Sequence, residues 1–276
     1  MSSWANFVCE LDRWEAAGLV ARFWWRDDDV VARTPALDSL LQCVNGVPIA
    51  LAAVPADIQE ALAHRLEDED SVRVFQHGWR HKNYAKDQPA SEYPAGRHME
   101  LVLQEFRHGF IKLRSIFGDR ALPVFVPPWH GFDQAYMPLL REAGLTGFSS
   151  KGPRSAAVVQ TLECVNIHCV PIEWTSPPSF DEDGKYLNQI CLHLEGRRLG
   201  ALDFDEPTGI LTHHLVQNYA SYGFMARLSE HIRSHPAARW VAIEDVFPAS
   251  RSLAGECSVV DGLVPHRFGE LPSVPA

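Results

Sequence analysis

Short apolar blocks alternate along the chain with stretches of helical period. The blocks fall at residues 19–25, 47–54, 71–76, 122–126, 145–149, 164–172, 208–212 and 239–243. Continuous apolar runs of this length predict buried strands. Between them, apolar residues recur every three or four positions, as at Trp4, Phe7, Val8, Leu11 and Trp14. That spacing predicts helices near residues 1–18, 34–45, 56–67, 97–117, 136–143, 185–199 and 222–234, with a helical turn at 244–245. Eight strands alternating with helices imply parallel β/α units. Periodicity does not distinguish an open sheet from a closed one. Polar residues follow several different strands, however, and a closed barrel gathers such residues at one mouth. The expected architecture is therefore an α/β fold, a distorted (β/α) barrel forming a single domain over residues 1–248. Residues 249–276 are rich in Pro, Gly and Ser and weakly periodic, and are expected to form an irregular tail.

Composition narrows the functions available. The 276 residues are 46% hydrophobic and carry a formal charge of -10, with no Lys/Arg-rich run. Nucleic acid and anionic membranes are thereby disfavoured as partners. No apolar run reaches the ~18 residues of a membrane span. The first residues lack the basic and apolar regions of a signal peptide, so a cytoplasmic location is expected. Six cysteines are scattered without a CxxC pair, which suits reduced thiols better than a disulfide framework.

The candidate chemistry sits where strands end. The first strand runs into Arg26-Asp27-Asp28-Asp29-Val30. Carboxylates at the mouth of a buried strand repel one another unless a positive group joins them. A divalent metal meets that need, taking one carboxylate as ligand and leaving a neighbour free as a base; a solvated acidic turn is the plainer alternative. The third strand delivers His77-Gly78-Trp79-Arg80-His81, an HxxxH spacing that can bring two imidazoles to one ion. The spacing alone is weak. Thirteen histidines in this length give roughly 0.6 such pairs by chance, and His231 and His235 repeat it late in a predicted helix. Position after a buried strand separates the first pair from the second.

Pro127-Pro128-Trp129-His130 follows the fourth strand, a rigid turn or a wall with Trp129 and His130 facing substrate and a backbone N–H nearby for an oxyanion. Glu173-Trp174 and His213-His214 also end strands. A histidine facing a metal site is a natural acid for a leaving amine. Trp79, Tyr84, Trp129 and Trp174 suit stacking on a sugar face or ordinary core packing equally well.

With these motifs in this order, the chain from Phe23 to Val246 resembles the polysaccharide deacetylases, the NodB-homology family of carbohydrate esterases. The resemblance implies Asp28 as general base and Asp29, His77 and His81 as metal ligands; a register one residue earlier, Asp27-Asp28, stays open. It implies His213, in Leu211-Thr212-His213, as general acid, with His214 where an aspartate is common. Val126 stands where the family's third motif has an arginine, so either Arg26 supplies that charge or activity is altered. Glu173-Trp174 matches the fourth motif loosely. The implied activity is metal-dependent hydrolysis of an N-acetyl group from a sugar or glycoconjugate, with zinc the best fit and Trp129, His130, Trp174 and His214 at the substrate. A soluble glycan or small amide suits a chain without an export signal. An allantoinase-like hydrolase of a cyclic amide and an inactive carbohydrate-binding barrel are the alternatives.

Overall fold

A computed structural model describes residues 3–86 and 89–250. From residue 251 onward the expected tail lies outside the described residues. In chain order the elements are α1 (Ser3–Ala16), β1 (Ala21–Val30), α2 (Pro35–Val44), β2 (Ile49–Ala53), α3 (Ala61–Arg65), β3 (Val72–His77), α4 (Met99–Phe117) and β4 (Ala121–Val126). There follow α5 (Met137–Glu142), β5 (Gly147–Phe148), β6 (Val158–Val159), β7 (Leu162–Cys164), α6 (Asp183–Arg198), β8 (Thr208–Thr212), α7 (Tyr219–Ser234), β9 (Ala238–Trp240) and α8 (Ile243–Val246). Local chemistry fixes several ends. Thr34 accepts a bond from Leu37 N at 3.0 Å, Pro35 opens α2, and Asn45 closes it in the left-handed region at φ 45°. Asn218 and Ser221 form a reciprocal capping box at the start of α7, three residues before the expected onset.

The strands form one curled sheet in the order β6-β7-β5-β4-β3-β2-β1-β8. Every pairing is parallel except the small β6–β7 hairpin. Phe23 pairs with Thr208 of β8 on one side and Trp240 of β9 on the other, so β9 takes the edge of β1 that β2 occupies further along. The architecture is the distorted (β/α) barrel of the NodB-homology type.

Side-chain parity explains how the sheet is covered. Trp24, Ala50, Ala52, Phe75, Val124, Val126 and Leu211 share the concave face with Ile243, Val246 and Phe247. Their neighbours one position along, Phe23, Trp25, Ile49, Leu51, Val74 and Ile210, pack outward against α1, α2, α6 and α7. Both faces of the strands are buried, which is why they read as apolar blocks without alternation.

Two expectations need correction. The acids after Trp25 are not a turn, because β1 continues to Val30 with Asp27 opposite Leu51 and Thr212. The pairing slips only between Asp27 and Val30, where Asp29 adopts φ 69°. Residues 164–172 are also not one strand. Beyond Cys164 this segment makes only isolated bridges, Lys151–Ile167 and Cys169–Ile210, at the seam between β5 and β8. Side chains supplement the backbone bonds at these bridges: Asn166 Oδ1 accepts from Ser150 N at 2.8 Å, and His168 Nδ1 accepts from Gly209 N at 3.0 Å. A backbone with such partners satisfies its polar groups without regular pairing. Smaller differences concern α3, which is shorter than residues 56–67 because Gln59 N bonds Val31 O at 2.8 Å and not Pro55 O, and β5, which keeps only two residues of 145–149.

The seam leaves no room for a side chain at Gly209. A Cβ there would lie 2.6 Å from Asn166 O and 2.6 Å from Trp24 Nε1. Gly209→Ala is therefore expected to cost about 1–3 kcal/mol in urea unfolding; an unchanged midpoint would show that the seam yields.

Candidate metal centre and active site

The parity of β1 sorts its three acids. Trp24, Arg26 and Asp28 share the concave face, while Trp25 and Asp27 point outward. Arg26 is fully buried and forks onto Asp28, with Nε to Oδ1 at 2.8 Å and Nη2 to Oδ2 at 3.1 Å. Its remaining Nη1 donates to the Ser149 carbonyl at 3.1 Å and hydroxyl at 2.6 Å. The guanidinium absent at Val126 thus has a counterpart two residues before the carboxylate it orients. Burial alone would raise the Asp28 pKa, but the Arg26 charge and nearby imidazoles outweigh it and hold Asp28 ionised.

Asp27 belongs to a different network. It accepts from Thr212 Oγ1 at 2.6 Å and faces His214 Nδ1 at 2.6 Å, while Trp25 Nε1 donates to Thr212 Oγ1 at 2.9 Å. Asp27 and His214 are both essentially inaccessible. Of the two registers, the structure brings Asp28-Asp29 to the cavity and leaves Asp27 outside it. His214, expected at the substrate, lies outside the cavity: two residues beyond Thr212, it packs against Asp27 behind the sheet.

The bulge after Asp28 turns Asp29 into the mouth as well. Its Oδ1 lies 3.2 Å from His77 Nε2 and 3.2 Å from His81 Nε2. Yet Oδ1 is buried with no hydrogen bond of acceptable geometry. His77 Nδ1 lies 3.1 Å from the Val126 carbonyl, which can only accept. In the neutral imidazole the Nδ1–H is spent on that carbonyl, and the Nε2 lone pair is aimed at Asp29. Without an ion, burial of His77 is outweighed by the Asp28 and Asp29 carboxylates, which raise its pKa and favour a proton on Nε2 that a metal would displace. Three lone pairs converging on one point is the arrangement a divalent cation resolves, and the carbonyl-fixed imidazole is the usual outer support of a histidine ligand. Asp29 is held well below the ordinary carboxylate range, its desolvation outweighed by His77. His81 is pushed down by burial and by the neighbouring His77. The donor set fits a catalytic zinc-type ion with positions left over.

A second trio tests that reading. His168 and His193 stack with centroids 3.4 Å apart, and their Nε2 atoms lie 3.4 and 3.9 Å from Glu206 Oε2. The composition matches, and in both trios the ligand atoms lie within 4.8 Å of one another. The tautomer differs. His168 Nδ1 accepts the Gly209 N–H, so its proton sits on Nε2 and no lone pair faces Glu206. Glu206 also accepts from the Arg154 and Asn166 amides at 2.8 and 2.9 Å. This trio is a structural clasp at the seam.

Asp28, Asp29, His77, His81 and His213 line a cavity of about 830 Å³ at the C-terminal ends of the strands, together with Trp129, His130 and Trp174. Four of the seven non-glycine residues with positive φ among those described stand here: Asp29, His81, Trp129 and His130. Such conformations cost on the order of 1–3 kcal/mol each and persist only where surrounding contacts enforce them. Trp129 packs on His81 with centroids 4.1 Å apart, and Trp174 meets the His213 ring edge-on at 4.8 Å. Both indoles are well exposed, at 41% and 61%. His130 is pushed down to about 3 by burial and by the Arg26 charge, so it is neutral at physiological pH. Its Nδ1 and the His213 Nδ1 are buried without partners. Glu173 also lines the cavity, where it pairs with Lys185 at 2.7 Å. Sequence reasoning passed over Ser149, the seam clasp and the cationic Lys151 and Lys185 at the cavity wall.

No protein-family profile and no curated protein matches the chain by sequence. Solved structures do share its fold. A Mycobacterium smegmatis protein that carries the name polysaccharide deacetylase aligns with a TM-score of 0.57 at 13% identity, covering 93% of this chain and 96% of that one. A structure titled T48 deacetylase with substrate aligns with a TM-score of 0.51 at 13% identity over 85% and 94%. The Bc1960 peptidoglycan N-acetylglucosamine deacetylase aligns with a TM-score of 0.51 at 15% identity over 83% and 89%. Identities this low speak for the fold alone. Among the described residues no helix is long and apolar enough to cross a membrane.

Proposed function

We propose that this chain is a metal-dependent hydrolase that removes an N-acetyl group from a sugar or glycoconjugate. One observation carries the reading: Asp29 Oδ1 and the Nε2 atoms of His77 and His81 converge beside a second, ionised carboxylate on Asp28. A divalent ion held by the first three, zinc by preference, supplies a Lewis acid for the acetyl carbonyl and lowers the pKa of water. Asp28 takes the proton of the attacking water, and Arg26 keeps it oriented and ionised for that task. His213 protonates the departing nitrogen, which is a very poor leaving group without a proton. A backbone amide near Trp129 holds the developing oxyanion. Trp129 and Trp174 offer apolar faces to a sugar ring, and neutral His130 offers a hydrogen-bonding partner. The names of the fold neighbours favour an acetylated glycan as substrate.

A carbohydrate-binding barrel without catalysis is the competing reading, and the absence of the motif arginine at Val126 is the feature that speaks for it. The Arg26 fork onto Asp28 weakens it. Purified protein is expected to hold one zinc per chain and to release acetate from N-acetylglucosamine oligomers. Asp28→Asn should retain the zinc and lose about 10²–10⁴-fold in kcat. Sugar binding without acetate from any N-acetylated substrate would favour the binder instead.

A further inference from the structure

The loop between β3 and α4 sends one carboxylate into the protein without a cationic side chain to meet it. Glu92 is fully buried. Its Oε1 accepts from Arg80 N at 2.9 Å and its Oε2 from Trp79 N at 3.2 Å. Both amides belong to the three-residue span between His77 and His81. The same span is gripped elsewhere: Gly78 N donates to Val126 O at 3.1 Å, Gln76 Nε2 to Gly78 O at 3.1 Å, and Ala56 N to Trp79 O at 2.8 Å. Gly78 has φ 58°, and a Cβ there would stand 1.9 Å from Glu92 Oε2, so glycine is what admits the carboxylate. Glu92 is itself anchored, since its carbonyl accepts from Arg97 Nη1 at 3.0 Å while Arg97 forks onto Glu105 at 2.9 and 2.7 Å.

We infer that Glu92 is a positioning residue that sets the second imidazole, His81, at the metal centre. The inference rests on the metal reading proposed above. Burying a carboxylate is costly, and a glutamine of the same shape would lower that cost. A glutamine, however, has one accepting oxygen, so one of the two loop amides would face an NH₂ group. Only a carboxylate satisfies both, and the two bonds hold the backbone that leads into His81 at φ 51°. Loss of either bond frees the loop to relax from its left-handed turns and moves His81 Nε2 away from Asp29.

The test is titration of the metal-free full-length chain with zinc alone, followed by calorimetry. Glu92→Gln should bind zinc about 10–100-fold more weakly than wild type, the usual range for an outer partner of a ligand, and Glu92→Ala more weakly still. Val246→Ala, which trims a buried core residue that does not line the cavity, should lose thermal stability but keep wild-type zinc affinity. Wild-type affinity in Glu92→Gln, or an equal loss in Val246→Ala, overturns the positioning role and leaves the metal reading standing. Failure of the wild type to bind zinc overturns both. Hydrogen exchange in metal-free wild type gives a reading even where a variant does not fold: the Trp79 and Arg80 amides should be protected like core strands, and rapid exchange there also overturns the role.

Discussion

Arg26→Leu is expected to destabilise the chain by about 3–5 kcal/mol, the range for removing one partner of a buried ion pair. The guanidinium is wholly inaccessible and spends three nitrogens on four bonds, two to Asp28 and two to Ser149. Leucine leaves Asp28 buried with the Ser149 oxygens also unmatched. The carboxyl then avoids the cost by keeping its proton, since desolvation is the largest influence on it and raises its pKa. Activity should fall with stability, because a protonated Asp28 cannot act as a base. The pH dependence separates the two effects. In wild type the depressed Asp28 contributes stability above the unfolded carboxylate pKa of about 3.9 and loses it as pH falls through its folded value. In Arg26→Leu that contribution disappears, and residual activity should climb with alkaline pH. Arg26→Lys should recover part of the charge but not the fork. Urea unfolding checks the claim, and a loss below 1 kcal/mol in Arg26→Leu would show that Arg26 is dispensable.

The case of Arg26 also shows what could be read before any coordinates. Alternation along β1 places Trp24, Arg26 and Asp28 on one face and Trp25 and Asp27 on the other. That parity places Asp28 on the inner face and Asp27 on the outer one, once β1 is known to continue past Trp25. It would leave Asp29 outside as well, and only the bulge at φ 69° brings Asp29 to the mouth. The assumption that the strand ended before the acids hid it. Charged residues rarely extend a buried strand, and here Asp27 and Asp28 each have partners that let them do so. The same parity puts His214 with Thr212 on the outer face, away from His213. By contrast, nothing local foretold that residues 165–172 would forgo a ladder, because Asn166 and His168 find their partners at Ser150 and Gly209, 16 and 41 residues away. The pair of histidines after β3 was legible because a short spacing and a buried strand sit together. Glu92 and Glu206 act over 12 and 40 residues of separation, and no pattern of spacing marks them.

Acidification should open the seam before it unfolds other parts of the barrel. The stacked His168 and His193 are both pushed down by burial, His193 to about 4. Geometry gives the same direction for His168: an imidazolium has no lone pair, so protonation would strand the Gly209 N–H that now donates to Nδ1. In the unfolded chain a histidine takes its proton near 6.5. Between that pH and about 4 the unfolded state therefore binds protons that the folded state refuses, and stability declines as pH falls. For His193 alone the loss reaches about 3 kcal/mol near pH 4, at ~1.4 kcal/mol per pH unit. Glu206 works in the same sense lower down. Desolvation is outweighed by its bonds, so its folded pKa is depressed, and the stability it adds is lost as pH falls below the unfolded carboxylate value. His193→Gln keeps a polar contact with Thr208 Oγ1, which His193 Nδ1 meets at 3.0 Å, but removes the titration. Its unfolding free energy should sit below wild type at pH 7.5 and converge on it toward pH 4.5. Two curves running parallel across that window would mean that the clasp does not govern the acid limit of the fold.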